Sequence, residues 1–185
     1  MAQGKLYYVV GASGSGKDSL MDYARQRVPR QAKPVLFIHR YLTRKAHDEH
    51  ENYISLSSQE FEERKQLGLF AMHWSSHDCL YGIGMEMDVW LNQGIDVVVN
   101  GSREYLPQAL DRYPTLIVII IGVSEQVLRQ RLIDRGRESL QEIEERLQKA
   151  AYYDLSVAQD RVKQVQNDGE LEQAGKLFLQ IITLS

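Results

Sequence analysis

Cysteine is almost absent from this chain of 185 residues, since Cys79 stands alone. A single thiol excludes a disulfide framework within the chain and fits a reducing compartment. Long apolar runs are also missing, because the longest one, Leu116 to Val123, is far too short to span a bilayer. The first residues lead directly into a strand pattern, without the basic and apolar segments of a signal peptide. We therefore expect a cytoplasmic protein with no membrane partner.

An excess of positive charge is also lacking. The chain has 22 Lys and Arg against 25 Asp and Glu, which gives a net charge of −3. Without a basic stripe or an aromatic platform, we expect no nucleic-acid partner. Anionic ligands must instead be held by local clusters of donors. The length allows one domain with a sizeable core, and we expect a monomer or a homodimer.

A glycine-rich segment stands between the apolar run Leu6 to Val10 and a helical pattern. In that context, backbone N–H groups and a helix N-terminus bind phosphate. The segment comprises Gly11, Ala12, Ser13, Gly14, Ser15, Gly16, Lys17, Asp18 and Ser19. It predicts a nucleotide-phosphate site in which Lys17 reaches the β- and γ-phosphates. A solvated lysine in a tight turn is the plainer alternative, but it does not explain three glycines and two serines in six residues.

One position of this loop departs from the usual pattern. A hydroxyl residue ordinarily follows the lysine and contacts Mg²⁺, whereas here Asp18 follows it and Ser19 comes one residue later. We expect ATP as the phosphoryl donor and Mg²⁺ bound by Asp18 or Ser19. The sequence leaves open which of the two touches the metal.

Strand patterns alternate with amphipathic helical patterns along the chain. Continuous apolar runs such as Ile95 to Val99 favour a parallel sheet that is covered on both faces. We predict a single α/β domain of the P-loop NTPase type, with a doubly wound, mainly parallel five-stranded sheet. The less regular residues 35–90 are the expected acceptor-binding insertion, and residues 134–146 are the expected short lid. The core then comprises residues 1–34, 91–133 and 147–185.

Several local expectations follow from the same patterns. Val35 to Tyr41 predicts one second strand, and the glycines between Asp78 and Gly84 predict a turn. The very apolar run that starts at Leu116 predicts the central strand. Ser57 and Ser139 each precede a glutamate by three residues, which is the capping-box signature of a helix start.

Arginines follow the predicted strand ends. Phosphoryl transfer requires two phosphates held in line and their charge neutralised, and guanidinium groups suit phosphate. Arg40 and Arg44 come directly after the second strand pattern, and Ser102 and Arg103 follow the strand that ends at Asn100. The carboxyl ends of parallel strands are where ligands bind in such sheets. These residues are therefore candidates for binding a phosphorylated acceptor.

A second group of arginines lies on two later helices. Arg131 and Arg135 are four residues apart before the break at Gly136, and we expect them to close over the phosphates and exclude water. For Arg112 and Arg129 we favour the plainer interpretation, which is a solvated helix face paired with acidic neighbours.

The order of these motifs resembles the guanylate kinase family over nearly the whole chain. The matching residues are the loop Gly11 to Lys17, Thr43, Arg44, Tyr53, Tyr81, Gly82, the segment Arg131 to Gly136, Arg146, Leu147, Ala150, Asn167 and Asp168. The resemblance implies a guanylate-kinase-like fold. It implies that the acceptor phosphate is held by Arg44, Tyr53 and Tyr81. It further implies that the transferring phosphoryl group is lined by Arg131, Arg135 and Arg146, and that Asn167 lies near the adenine of ATP.

Departures from that family concern the acceptor. A second phosphate-binding arginine, three residues after the first, is replaced by His47, which is the one histidine placed to restore the contact. The positions that match the guanine-reading glutamate, serine and acidic residue carry Met72, Ile83 and Ser102. A site without those groups leaves the polar edge of guanine unpaired. We therefore expect an acceptor that carries phosphate but no guanine.

Within the family, the chain resembles the ribose 1,5-bisphosphate phosphokinases of bacterial phosphonate catabolism. The segments that carry this likeness are Gly16 to Leu20, His39 to Arg44, Asn100 to Arg103 and Arg135 to Glu138. Gly-Lys-Asp-Ser is a feature of that group. The resemblance implies transfer of the ATP γ-phosphoryl group to the 1-phosphate of a small phosphorylated sugar, ribose 1,5-bisphosphate. The product would be 5-phosphoribosyl 1-diphosphate, and the extra arginines Arg40 and Arg103 suit an acceptor with two phosphates.

Two alternatives stay open. One is a guanylate or other nucleoside monophosphate kinase with unusual base recognition. The other is a non-catalytic guanylate-kinase-like module that binds phosphorylated partners. Such modules typically lose the loop lysine and the lid arginines, which this chain keeps.

Overall fold

The computed structural model describes residues 3–29, 33–44, 52–76, 78–136, 139–151 and 161–184. The strands are β1 (Leu6–Gly11), β2 (Val35–Phe37), β3 (Arg40–Leu42), β4 (Tyr53–Ser55), β5 (Phe70–Ser76), β6 (Cys79–Gly84), β7 (Asp96–Asn100), β8 (Ile117–Gly122) and β9 (Val162–Gln166). The helices are α1 (Lys17–Arg25), α2 (Ser58–Gln66), α3 (Glu86–Asn92), α4 (Leu106–Arg112), α5 (Glu125–Arg135), α6 (Leu140–Ala151) and α7 (Leu171–Leu184).

The larger sheet has five strands in the order β2-β7-β1-β8-β9, and all neighbours in it are parallel. This confirms the α/β class and the five-stranded parallel sheet. The central strand, however, is β1. The apolar run from Leu116 predicts β8 as the central strand, and that prediction is wrong. Burial on both faces makes every interior strand of such a sheet apolar, so apolarity does not identify the middle one.

Helices cover both faces of this sheet. Alternate residues of each strand point to opposite sides, so every strand contributes to the core on each face. On one face, Tyr7 and Val9 join a core with α1 and α7 through residues such as Leu20 and Phe178. On the other face, Tyr8 belongs to a core that includes residues of α3 and α4. Buried apolar contact on both faces explains why the strand sequences are continuously apolar. Among the described residues, no helix has both the length and the apolar character needed to cross a membrane.

A second, four-stranded sheet has the order β4-β3-β6-β5. The expected single strand from Val35 to Tyr41 is therefore wrong: β2 ends at Phe37 in the first sheet, and β3 begins at Arg40 in the second. The side-chain amide of Asn52 donates to the carbonyls of Phe37 and Ile38 at this break, at 3.2 and 3.3 Å. These bonds take the place of ladder bonds, and the chain changes sheets there.

The expected turn between Asp78 and Gly84 is also wrong, because Cys79–Gly84 is strand β6. Its glycine at position 82 lies against the ring of Phe70, which a Cβ atom would approach to 2.7 Å. The glycine thus marks close packing within a sheet and not a change of chain direction. The turn itself is limited to the residues before Cys79, where Asp78 adopts a left-handed φ of 59°.

Both predicted helix starts are confirmed, and the second has the full capping box. Ser57 Oγ accepts a hydrogen bond from the Glu60 N–H at 3.1 Å at the start of α2. Ser139 Oγ accepts from the Glu142 N–H at 3.3 Å, and the Glu142 carboxylate accepts from the Ser139 N–H at 2.7 Å. Each cap satisfies backbone donors that the first helical turn leaves without partners. The functional division into core, insertion and lid stays a prediction.

Candidate active site

The glycine-rich loop connects the end of the central strand to the first residue of α1, Lys17. Gly14 and Gly16 have φ values of 90° and 82°, a left-handed conformation that glycine adopts without strain. A side chain at either position would also collide, since a Cβ at Gly16 would lie 2.3 Å from Asn167 Nδ2. Between them, Ser15 is fully buried. The loop is therefore a tight backbone curl at a helix N-terminus, the arrangement that binds phosphate.

Three of the predicted donor-side residues converge on this loop from the β8–β9 side. Asn167 Nδ2 donates to the Ser15 carbonyl at 2.7 Å, and both groups are buried. Arg131 donates to the same carbonyl at 3.4 Å, and Arg146 Nη1 donates to Ser13 Oγ at 2.8 Å. Helices α5 and α6 are thus in direct contact with the loop.

Arg135 occupies the last residue of α5, one turn beyond Arg131, and is exposed. Gly136 then ends the helix in a left-handed conformation, as its sequence position predicts. Arg137 and Glu138, which contribute to the resemblance, lie outside the described residues.

Asp18 lies where the loop meets two other strand ends. Asn100 Nδ2, at the end of β7, donates to Asp18 Oδ1 at 2.5 Å. Arg40 Nη2, at the start of β3, is 3.8 Å from the same oxygen. Asn100 is not among the predicted site residues. A polar residue directly after an apolar strand pattern is the sequence signal that would have identified it. Ser19 is exposed on α1.

Oxygen donors at this position fit a hard cation such as Mg²⁺. In the described part of the chain, no group of three or more His, Cys, Asp and Glu side chains could hold a metal, at Asp18 or at any other place. A metal at Asp18 would therefore take most of its remaining ligands from nucleotide phosphates and water, as is usual for Mg²⁺ in kinases. The Asp18 carboxylate is suited to that arrangement.

The predicted acceptor residues form one patch, which we call the arginine–tyrosine patch: Arg40, Arg44, Tyr53 and Tyr81. Its members face the same side of the second sheet, because β3 pairs Arg40 with Tyr53 and Leu42 with Tyr81. The Arg40 guanidinium lies 5.8 Å from the Tyr81 ring centre, and that of Arg44 lies 5.7 Å from the Tyr53 ring centre. His47, the remaining predicted acceptor ligand, lies outside the described residues.

An aromatic stack connects this patch to the turn that carries Arg103. The rings of Tyr81 and Trp74 lie 5.5 Å apart and nearly parallel, and Trp74 also stacks on Tyr105 at 5.4 Å. Stacked rings pack rigidly and fix the distance between the elements that carry them. No sequence pattern indicated this stack. Trp74 and Tyr81 are cross-strand partners in β5 and β6, whereas Tyr105 comes from the start of α4.

Ser102 and Arg103 are positioned by a buried tyrosine of the central strand. The Tyr8 hydroxyl donates to the Ser102 carbonyl and accepts from the Ser102 N–H, each at 3.0 Å. Gly101 permits this close approach, since a Cβ there would lie 2.2 Å from the Tyr8 ring. The segment that follows β7 is therefore held in a fixed position relative to the central strand.

The positions that match the guanine-reading residues are part of the core. Met72 and Ile83 pair across β5 and β6, and they are 1% and 0% exposed. Both belong to the core on the α3–α4 face of the large sheet. Neither presents a polar atom to a ligand, which agrees with the expectation that guanine is not read here.

Charged pairs outside the patch have structural partners, as expected for Arg112 and Arg129. Arg112 lies 3.6 Å from Asp88, and Arg129 bridges Glu125 and Glu144. The hydrogen bond from Arg129 lowers the pKa of the exposed Glu144 below its ordinary value. This bridge joins α5 to α6.

Asp168 makes the corresponding connection between β9 and α5. Its carboxylate accepts from the backbone N–H of Ser124 at 2.6 Å, and this bond lowers the pKa of Asp168 below its ordinary value. Ser124 in turn caps α5 by accepting from the Val127 N–H at 3.4 Å. The residues that follow β9 therefore contact both the loop, through Asn167, and the start of α5, through Asp168.

Comparison with known proteins defines first the class and then the family. No family model matches the chain. The fold is similar to that of a guanylate kinase from Anaplasma phagocytophilum, with a TM-score of 0.69 and 16% sequence identity over 98% of this chain and 85% of that one. At this identity the likeness shows the fold, which is that of a guanylate-kinase-like P-loop protein.

Much closer relatives are curated as ribose 1,5-bisphosphate phosphokinase PhnN. The protein from Thiobacillus denitrificans is 46% identical over 99% of this chain and 95% of its own length. Those from Psychromonas ingrahamii and Pectobacterium parmentieri are 44% and 48% identical, over 98% and 97% of this chain and 91% and 94% of theirs. The chain belongs to the ribose 1,5-bisphosphate phosphokinase family and is an enzyme, a phosphotransferase.

Proposed function

We propose that this chain transfers the γ-phosphoryl group of ATP to the 1-phosphate of ribose 1,5-bisphosphate and forms 5-phosphoribosyl 1-diphosphate. One observation carries the proposal: a phosphate-binding loop and the arginine–tyrosine patch meet at Asp18, with Arg40 3.8 Å from its carboxylate. The relatives' name supplies the acceptor. The buried Met72 and Ile83 supply the reason why a guanine nucleotide is excluded.

On the donor side, the backbone N–H groups of Ser13 to Lys17 and the Lys17 ammonium bind the phosphates of ATP. Arg131 and Arg146, which already contact the loop, neutralise charge on the transferring phosphoryl group, together with Arg135. The adenine lies near Asn167, at the end of β9. Closure of the lid helices over the loop excludes water, which would otherwise compete as acceptor.

On the acceptor side, Arg40, Arg44, Tyr53 and Tyr81 bind the phosphate that attacks, and Arg103 contributes a further cation. The attacking oxygen belongs to a phosphate that is ionised at neutral pH, so the transfer requires no general base. The side chains act by placing the two phosphates in line and by offsetting their mutual repulsion. His47 is proposed as an additional phosphate ligand.

Mg²⁺ fits beside Asp18, with Ser19 as a further oxygen donor. Bound there, the ion would neutralise phosphate charge during transfer. The contribution of the chain is the carboxylate itself and its orientation, which Asn100 fixes with a hydrogen bond of 2.5 Å to Oδ1.

The test is an acceptor panel with purified protein and Mg-ATP. Ribose 1,5-bisphosphate, ribose 5-phosphate, GMP and AMP are each supplied, and the products are identified by ³¹P NMR. We expect a new diphosphate only with ribose 1,5-bisphosphate. Turnover of GMP without turnover of ribose 1,5-bisphosphate would contradict the proposal and favour a nucleotide kinase.

A further inference from the structure

A groove runs along α1, away from the phosphate-binding loop. Its lining comprises Asp18, Met21, Asp22, Arg25, Phe37, Ile38, Asn52 and Asn100. The residues from α1 are spaced three and four apart, so they share one face of the helix over about 10 Å. The opposite wall is the end of β2 and the residue before β4.

The polar atoms that line this groove are mostly acceptors. Asp18 and Asp22 contribute carboxylates, and Asn100 contributes an amide side chain. At the far end, Arg25 donates to Asp22 Oδ1 at 2.6 Å and to Asn52 Oδ1 at 2.9 Å, which joins α1 to the opposite wall. Its charge is thereby offset by Asp22. Such a lining disfavours a phosphate group, which is anionic and has no proton to donate, and favours hydroxyl groups.

Asn100 provides the most specific sign of a ligand. The residue is 6% exposed, and its Nδ2 donates to Asp18. Its Oδ1 is buried and has no hydrogen-bond partner among the residues that the structure describes. An unsatisfied buried acceptor is destabilising, so it is expected to have a donor in the working complex. The hydrogen bond to Asp18 fixes which side of the amide faces the groove.

The groove lies on the acceptor side of the loop. The donor contacts, through Asn167 and Arg131, approach the loop from β8 and β9. The groove instead borders β2 and β7, and Arg40 of the arginine–tyrosine patch reaches Asp18 at its near end. A sugar whose 1-phosphate lies on that patch would have its ring at the mouth of the groove.

We propose that this groove binds the hydroxyl edge of the acceptor sugar, with Asn100 Oδ1 and Asp22 accepting hydrogen bonds from the 2- and 3-hydroxyl groups. The inference rests on the proposed function, because it takes ribose 1,5-bisphosphate as the acceptor. Asn100 is then a specificity residue: it recognises ribose through its hydroxyls, while the arginines recognise the phosphates. A deoxy sugar leaves Asn100 Oδ1 unpaired.

The first test uses the wild-type protein and equilibrium binding, without ATP or metal. Dissociation constants are measured by calorimetry for ribose 1,5-bisphosphate and for its 2-deoxy and 3-deoxy analogues. We expect at least one analogue to bind about 10–100-fold more weakly, because a buried acceptor is left unsatisfied. Equal affinities for all three compounds would overturn the groove proposal. If ribose 1,5-bisphosphate neither binds nor turns over, the proposed function itself fails.

The second test compares Asn100→Leu, similar in size, with Asn92→Leu as a control at an exposed residue of α3, outside the groove. We expect Asn100→Leu to bind ribose 1,5-bisphosphate more weakly than the wild type does, and to bind the deoxy analogue equally well. The ratio of the two dissociation constants then approaches one. The control keeps the wild-type ratio. Retention of the ratio in a folded Asn100→Leu variant overturns the proposal.

A third measurement separates the sugar from the metal. Mn²⁺ affinity with ADP bound is followed by electron paramagnetic resonance in the wild type and in Asn100→Leu. We expect this affinity to fall, because Asp18 loses the hydrogen bond that orients its carboxylate, while the deoxy ratio approaches one. A large loss of Mn²⁺ affinity, together with an unchanged deoxy ratio, would assign the free oxygen of Asn100 to the metal hydration shell and overturn the proposal.

Discussion

The donor side and the acceptor side of this site are built in opposite ways. The donor side is one continuous segment, residues 11–19, between the central strand and α1. The acceptor side is assembled from separated segments that carry Arg40, Tyr53, Tyr81 and Arg103, in two sheets. A continuous loop binds phosphate with backbone groups, so few side chains can change what it binds. An assembled surface depends on its side chains, so a few substitutions can change the acceptor while the fold remains.

Under the proposed function, this difference is the reason why a guanylate-kinase-like fold can serve a sugar phosphate. The phosphate-binding parts are present on both sides. What differs is the wall of the acceptor lobe, where Met72 and Ile83 are core residues and no longer a base-reading surface. The adjacent Tyr81–Trp74–Tyr105 stack keeps the lobe packed without a nucleobase. The small groove beside α1 offers hydroxyl recognition in its place.

The largest expected loss of activity comes from a substitution on the donor side. Lys17→Ala removes the one lysine of the loop, and we expect kcat for phosphoryl transfer to fall by about 10³-fold, as for the loss of a charge-stabilising donor. Acceptor affinity, measured by calorimetry, stays within about threefold. Lys176→Ala is the matched control, because Lys176 is exposed on α7 and pairs with Glu172. An unchanged kcat in Lys17→Ala would contradict the assignment of the loop.

The two sides also differed in how far the sequence predicted them. The loop was predicted residue by residue, because strand, glycine turn and helix are local patterns. The wall of the acceptor lobe was not, because β6 was mistaken for a turn on account of its glycines, and β3 was joined to β2. Glycine at position 82 serves packing against Phe70, which is a contact between strands. The sheet order and the stack depend on long-range pairing, which no local pattern contains.

Asn100 illustrates the same limit at the level of a single residue. Its position after an apolar strand was visible in the sequence, and ligands bind at such strand ends. Its hydrogen bond to Asp18 joins residues 82 positions apart and depends on β7 lying beside β1. Strand order therefore decides which polar groups meet, and it had to be seen in the structure.

An intermediate effect sharpens the comparison from the acceptor side. Arg44→Met keeps the aliphatic stem but removes a guanidinium from the arginine–tyrosine patch. Because charge-assisted hydrogen bonds contribute about 1.5–3 kcal/mol, we expect KM for the acceptor to rise about 10–100-fold, with KM for ATP within about twofold. Arg112→Met serves as the control, because Arg112 of α4 is paired with Asp88 of α3. Equal increases in both KM values would show that the two sides are not separable.

The smallest expected effect is on the local stability of the start of α6, and it does not involve the acceptor side. The Glu142 carboxylate accepts hydrogen bonds from the N–H and the hydroxyl of Ser139, and these bonds hold the pKa of Glu142 below its ordinary value. A carboxylate whose folded pKa is lowered stabilises fully above its unfolded pKa of about 4.3. That stabilisation is lost as the pH falls through the folded value. Glu142→Gln should therefore matter at neutral pH and cease to matter in acid.

Hydrogen exchange at the first turn of α6 measures this effect. At pH 6 we expect amides in the variant to exchange about two- to fivefold faster than in the wild type, and the two rates should converge as the pH falls through the folded pKa of Glu142. Intrinsic exchange rates cancel in the ratio at each pH. Glu145→Gln removes an equal charge from the same helix without touching the cap, and we expect its ratio to remain near one. A ratio for Glu142→Gln that does not change as the pH is lowered would show that the contribution of Glu142 is steric and not ionic.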